Sequence, residues 1–306
     1  MVQKSKFIFI LSSLLLGMFE YAGASTIVKT WGNSSHGQTD VPPLVNARMV
    51  SAGADVTCTL DDQGVYCYGL RSYGEAMIPY FKDPSKIKMI SAGTGHHECA
   101  IDGADGKNVV ACWGWNNGGQ TDVPDSVNKS NPTMVTVGDY HTCALVDKGL
   151  DDKGVECWGL NTAGQVSVPT TLSHPKMVSA GGEDTCAIDV GSDGKDEVVC
   201  WGVDLGKTPS FSNPKMVSVG EAYACALDDH GVQCWGYNSS GQTEVPTDLK
   251  NPKMVSAGYG HTCAIDENLI RCWGLNDHGQ SATVQLNNPT MVSAGAGGQT
   301  VTISDR

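Results

Sequence analysis

The chain has 306 residues, 33 acidic against 20 basic, for a formal net charge of −13. So acidic a surface repels a phosphate backbone, which sets nucleic acid aside as a partner. Beyond the first 24 residues no stretch is apolar enough to span a bilayer, so no membrane association is expected of the mature chain.

Residues 1–24 read as a secretory signal. Lys4 and Lys6 form a basic start, Phe7 to Met18 a short apolar run, and Ala22-Gly23-Ala24 a small-x-small cleavage site. The mature protein is expected to begin near Ser25, to be exported to an extracellular or periplasmic space, and to form one domain over residues 25–306.

The first predicted strand, Ile27 to Gly32, ends in Trp-Gly and runs into a turn and the tail G-Q-T-x-V-P at Gly37 to Pro42. A second pattern then begins. M-V-S-A-G, or a close variant, starts at Met49, Met89, Met134, Met177, Met216, Met254 and Met291, at intervals of 37 to 45 residues. A period of that size marks a repeat architecture. Each unit reads as an apolar first strand, an alternating second strand (H-T-C-A-I-D at His261) and an alternating third strand ending in W-G. Asp-Gly hairpins such as Asp61 to Gly64 and Asp228 to Gly231 join the second strand to the third. The x-V-P tail makes a fourth strand, restricted by its proline to an edge or an end. No stretch has helical periodicity.

Four short antiparallel strands, repeated, make propeller blades. The third-strand signature occurs seven times, at Trp31, Tyr68, Trp113, Trp158, Trp201, Trp235 and Trp273, and the first strand also occurs seven times. The two series are out of phase. The chain opens on a third strand and closes on a first and second. The expected fold is therefore an all-β, seven-bladed propeller of four-stranded antiparallel blades, with one blade split between the chain ends. Pairing those ends removes exposed strand edges.

The twelve cysteines fall one in the second and one in the third strand of six units: Cys58 with Cys67, Cys99 with Cys112, Cys143 with Cys157, Cys186 with Cys200, Cys225 with Cys234, and Cys263 with Cys272. In the split unit both are missing, with Thr30 and Val301 in their places. Loss of both partners together is the behaviour of cross-strand disulfides, and export to an oxidising compartment agrees. No C-x-x-C suggests zinc.

The unit resembles the repeat of the regulator of chromosome condensation family, whose members form seven-bladed propellers. Its tail, as at Gly37 to Pro42, Gly119 to Pro124 and Gly241 to Pro246, is closest to the secreted bacterial members that inhibit β-lactamases. The paired cysteines depart from that inhibitor pattern. So does the unit after Trp201-Gly202, which runs V-D-L-G-K-T-P without G-Q. The resemblance is specific for the fold and weak for function, because the repeated residues build blades.

Ser, His and Asp are present, but no nucleophile elbow, phosphate loop or H-E-x-x-H occurs, so no enzyme activity, cofactor or metal is expected. His97, His141 and His261 share one repeat position, which elsewhere holds Val56, Asp184, Tyr223 and Gln299; this is read as a structural turn position rather than a ligand triad. The acidic stretches Asp102 to Asn108, Asp147 to Asp152 and Asp189 to Glu197 resemble calcium loops only loosely and are read as solvated hairpin tips. Function is expected where the repeats differ, on the face that carries the loops after S-A-G and after W-G. Those loops supply Asp139, Tyr140, Glu183, Asp184, Tyr223 and Tyr259, with Trp115 and Tyr237. Aromatics among polar residues suit a protein partner. The expected function is a secreted, monomeric, disulfide-stabilised protein-binding module, with enzyme inhibition as one form that binding can take. A guanine-nucleotide exchange factor for a host small GTPase, and a propeller lyase or glycan binder, are the alternatives.

Overall fold

The computed structural model describes residues 26–75, 77–147, 149 and 153–306. The signal segment and its cleavage site lie outside the described residues, as do Asp151 and Asp152 of one acidic hairpin.

Seven antiparallel sheets form a ring. Blade 1 comprises Met49–Ala52, Val56–Leu60 and Val65–Gly69. Blade 2 comprises Ile87–Ala92, His97–Asp102 and Val109–Gly114. Blade 3 comprises Pro132–Val137, His141–Asp147 and Lys153–Gly159, and blade 4 Met177–Gly181, Asp184–Val190 and Asp196–Gly202. Blade 5 comprises Met216–Val219, Tyr223–Asp228 and Gly231–Gly236. Blade 6 comprises Pro252–Ala257, His261–Asp266, Leu269–Gly274 and the short Val284–Gln285. Blade 7 joins Asn287–Ala294 and Gln299–Asp305 to the N-terminal Thr26–Gly32. Successive first strands pack side by side, and that of blade 7 packs on that of blade 1, so the ring is closed.

The split blade pairs as the out-of-phase repeats require: Ile27 lies opposite Ser304, Thr30 opposite Val301, and Gly32 opposite Gln299. All six disulfides are present, each between residues directly opposite one another in one blade, with Cα atoms 4.0–4.1 Å apart.

The fourth strand is less regular than the repeat suggests. Among the described residues it joins a sheet only in blade 6, where Val284 lies opposite Ile270 and Gln285 opposite Leu269. That tail reads Val-Gln. Where the tail reads Val-Pro, as at Val41-Pro42, Val123-Pro124, Val168-Pro169 and Val245-Pro246, the proline has no N–H to give and the segment runs beside the sheet unpaired.

Neighbouring residues in a strand face opposite ways, and in a ring both ways lead into a seam between blades. The disulfide of each blade therefore packs into the seam with the next blade, against that blade's third-strand Trp. Cys58 and Cys67 share a cluster with Trp113, Cys99 and Cys112 with Trp158, Cys143 and Cys157 with Trp201, and Cys186 and Cys200 with Trp235. Each Trp also donates Nε1–H to the backbone carbonyl of the preceding tail's Gln or Glu, as Trp158 does to Gln120 (2.9 Å) and Trp273 to Gln242 (2.9 Å). Trp235 has no such acceptor among the described residues, because the tail before it has neither G-Q nor G-E. The glycine after each third-strand Trp, or after Tyr68, is obligatory for a reason of space. At Gly69, with φ +125°, a Cβ would sit 2.2 Å from the carbonyl oxygen of Asp55.

The first strands line a central channel, with the methionines of M-V-S at one level and the Ser or Thr hydroxyls at the next. Those hydroxyls stitch the ring: Ser51 Oγ accepts from Ala92 N (2.9 Å) and Ser293 Oγ from Ala52 N (3.0 Å).

Candidate binding face

Loops after S-A-G and after W-G lie on one face because their backbones bond each other. Trp115 N donates to His96 O (2.9 Å), Leu160 N to Tyr140 O (2.8 Å), Tyr237 N to Ala222 O (2.9 Å) and Leu275 N to Gly260 O (2.7 Å). On this face Tyr237 and Tyr259 are more than half exposed. Tyr259 borders a recess of 290 Å³ between blades 6 and 7, lined also by Asn33, Asp55, Leu275, Asp277 and His278.

Trp115 and Tyr140 are half-buried and belong to a cluster that the sequence reading missed. Tyr73 stacks on Trp115, with centroids 5.0 Å apart and an interplanar angle of 11°. His96 lies 4.8 Å from Tyr73, and Tyr140 meets Trp115 edge-on at 5.9 Å. The residues come from the loops of blades 1, 2 and 3. Tyr73 holds a position that is Gly, Ala, Ser or His in the other G-Q tails, so the signal was a single aromatic in a variable place.

Two expected surface residues are corrected. Tyr223 is fully buried, its hydroxyl donating to His261 O (2.7 Å) and accepting from Gly258 N (3.1 Å). Asp184 is 1% exposed. Both occupy the repeat position of His97, His141 and His261, which begins the second strand and points into the seam. There His97 Nε2 meets Thr142 Oγ1 at 2.9 Å, His141 Nε2 meets Thr185 Oγ1 at 2.8 Å, and His261 Nε2 meets Thr300 Oγ1 at 2.9 Å. Burial lowers the pKa of these histidines, to about 3 for His97 and about 4 for His141 and His261. They are neutral cross-blade struts.

Asp139 and Glu183 are half-buried on the loop face, beside Glu221, which also follows a first strand. Burial, then the charges of Glu221 and Glu183, raises Asp139 to about 7, and burial raises Asp184 to about 7 as well. Among the described residues no three His, Cys, Asp or Glu side chains are placed to hold a metal ion.

The opposite face is turn chemistry. Asp61 Oδ1 accepts from Gln63 N and Gly64 N, Asp189 from Ser173 N and His174 N, and Asp266 from Lys250 N and Asn251 N. A groove of 430 Å³ beside the Asp228 hairpin is lined by such committed groups: Asp228 accepts from Ser212 N and His230 N, and Asp229 pairs with Lys215 at 2.7 Å.

Residues 254–280 match the family model described as the regulator of chromosome condensation (RCC1) repeat. No curated protein matches the chain in sequence. Solved structures do match in fold. Prp20p from Saccharomyces cerevisiae, described with its binding to Gsp1p and histones, aligns with a TM-score of 0.71 at 15% identity over 92% of each chain. Yeast RCC1 (Prp20) bound to Kap60 aligns with a TM-score of 0.71 at 16% identity, over 100% of this chain and 97% of that one. The CRINKLY WD40 ectodomain of the Arabidopsis thaliana receptor kinase ACR4 aligns with a TM-score of 0.64 at 26% identity, over 81% of this chain and 87% of that one. Repeat, ring and six in-blade disulfides together make this chain a disulfide-stabilised propeller similar in repeat and fold to the regulator of chromosome condensation proteins.

Proposed function

We propose that the chain is an exported, non-catalytic propeller that binds a protein partner with its loop face. The observation that carries this is the concentration of large exposed or half-exposed rings there: Tyr73, Trp115, Tyr140, Tyr237 and Tyr259. Such rings give contact area at little conformational cost. The opposite face spends its polar groups on its own backbone. Six disulfides suit an oxidising compartment. The plant receptor-kinase ectodomain supports an extracellular setting for this fold, and the Kap60 complex shows a protein of this fold holding a protein partner. Inhibition of a partner enzyme is the finer form we propose for that binding.

The immobilised chain, offered the secretome of its source, is expected to capture a discrete protein. Tyr237→Ala and Tyr259→Ala should weaken that capture by about thirtyfold each if they are anchors. Asp193→Lys, on a solvent-exposed hairpin of the other face, should leave it unchanged. Retained binding in both truncations with loss in the reversal would put the site on the wrong side of the disc.

A further inference from the structure

The seam between blades 1 and 2 departs from the repeat at both of its polar positions. Glu75 stands where five other tails have Gln38, Gln120, Gln165, Gln242 and Gln280. Glu98 stands where five other second strands have Thr, as at Thr142 and Thr262. In an ordinary seam, Thr142 Oγ1 donates to Gln120 O (2.8 Å) and meets the His97 ring, so the threonine hydroxyl is satisfied. Here the histidine place is Val56, which offers nothing polar.

Both glutamates are 0% exposed. Glu75 Oε2 accepts from Tyr73 N (2.8 Å), but among the described residues Glu75 Oε1 and both carboxyl oxygens of Glu98 have no hydrogen-bond partner. A buried carboxyl left so is costly, and the fold has it at two adjoining places. Burial, and then the charge of Glu75, holds Glu98 well above the usual carboxylate range. No Lys or Arg among the described residues forms an ion pair with either acid, and Arg71, close by in sequence, is exposed. His96 stands nearest the acids, its Nδ1 3.3 Å from Glu75 Oε1, on a backbone at φ 60° that only a few non-glycine residues adopt.

Above this pair lies the aromatic cluster. Tyr73 and Trp115 present stacked rings, with His96 and Tyr140 at their flanks, and Tyr73 is 45% exposed. Two neutral residues of the repeat have thus become acids beside the aromatic cluster of the loop face, Glu75 touching Tyr73 and His96.

We propose that this platform receives an arginine side chain of the protein partner. A guanidinium stacks on an aromatic face, where the ring quadrupole attracts it. The charge of Glu75, buried beside the protonated Glu98, acts through a medium of low dielectric and is felt at greater range than a surface charge. An excess of acidic over basic residues across the chain favours the approach of a basic partner. The inference rests on the loop face being the binding face, and it adds the chemistry of the contact.

The probe is a Gly-Arg-Gly amide, with Gly-citrulline-Gly amide as its neutral control, followed through the Trp115 indole resonance by NMR. The arginine peptide is expected to shift that resonance saturably in the millimolar range, and the citrulline peptide to leave it in place. The double substitution Glu75→Gln with Glu98→Thr installs the residues of the other seams, so it should fold at least as well as the parent. It should weaken arginine binding about tenfold or more. Equal response to citrulline, unchanged affinity in the double variant, or no saturable shift would overturn the proposal. If the peptide fails while protein capture survives the double substitution, this inference alone falls. A chain that takes the peptide but captures no protein overturns the binding face instead.

Discussion

Three buried histidines tie the stability of this propeller to pH. His97, His141 and His261 are at most 1% exposed, and each reaches a Thr of the next blade. An unfolded histidine takes its proton near pH 6.5, whereas these wait until about 3 or 4. The unfolded chain therefore binds more protons across that window, so their contribution is complete above about pH 6.5 and is lost as pH falls towards 4. Asp139 and Asp184 act in the opposite sense. Raised to about 7, they favour the folded state at low pH and lose that contribution as pH climbs through 7. His141→Gln borrows the residue that the closing blade already uses at Gln299, and it should flatten the fall of the thermal midpoint between pH 6.5 and 4. An unchanged acid slope would show that these rings do not govern it. That these residues share one position was legible in the sequence; their direction was not. Tyr223 sits in the same place and was read as surface, because a strand's first residue beside a loop looks exposed until the next blade is set against it.

The strand pairing was legible because loss was shared. Thr30 and Val301 replace one cysteine pair at positions 271 residues apart, and the structure sets them opposite each other in the register that the six disulfides use. Thr30→Cys with Val301→Cys should therefore bridge without design, and the new link would close the ring covalently. In the chain-entropy view a loop of that length is worth about 5.6 kcal/mol, less about 1 kcal/mol for the lost hydrogen bond from Thr30 Oγ1 to Thr39 O. Thiol titration under denaturing conditions decides it, and two free thiols in the exported double variant would refute the register. The fourth strand was less legible, since alternation with a terminal proline suits a strand end and an unpaired tail equally. Trp115 and Tyr140 were legible as loop-face residues, but their platform with Tyr73 and His96 was not. Its rings come from three repeats, and only the ring geometry brings residues 73, 96, 115 and 140 together.

A closed ring fails at its least secured seam, and the disulfides identify that seam. Each of six blades binds its own second and third strands through a bond spanning 9 to 14 residues, worth roughly 2.5–3 kcal/mol apiece in the same view. Blade 7 has none, and its third strand, Thr26–Gly32, is held by its ladder to Gln299–Asp305, by packing of Val28 and Trp31, and by the bond from Trp31 Nε1 to Gln280 O (3.0 Å). No residue of that strand is fully buried, whereas Ile270, Cys272 and Trp273 are buried in the matching strand of blade 6. Local opening follows such differences in burial and cross-linking. Native-state hydrogen exchange should therefore find the amides of residues 27–32 less protected than those of Leu269–Gly274 and the other third strands. The Thr30→Cys, Val301→Cys bridge should remove most of that difference, and reduction of all disulfides should narrow it from the other side by loosening the six linked blades. If residues 27–32 exchange as slowly as the cross-linked strands in the unmodified protein, the ring does not open at the split blade, and closure by hydrogen bonds and packing is as strong there as closure by sulfur is elsewhere.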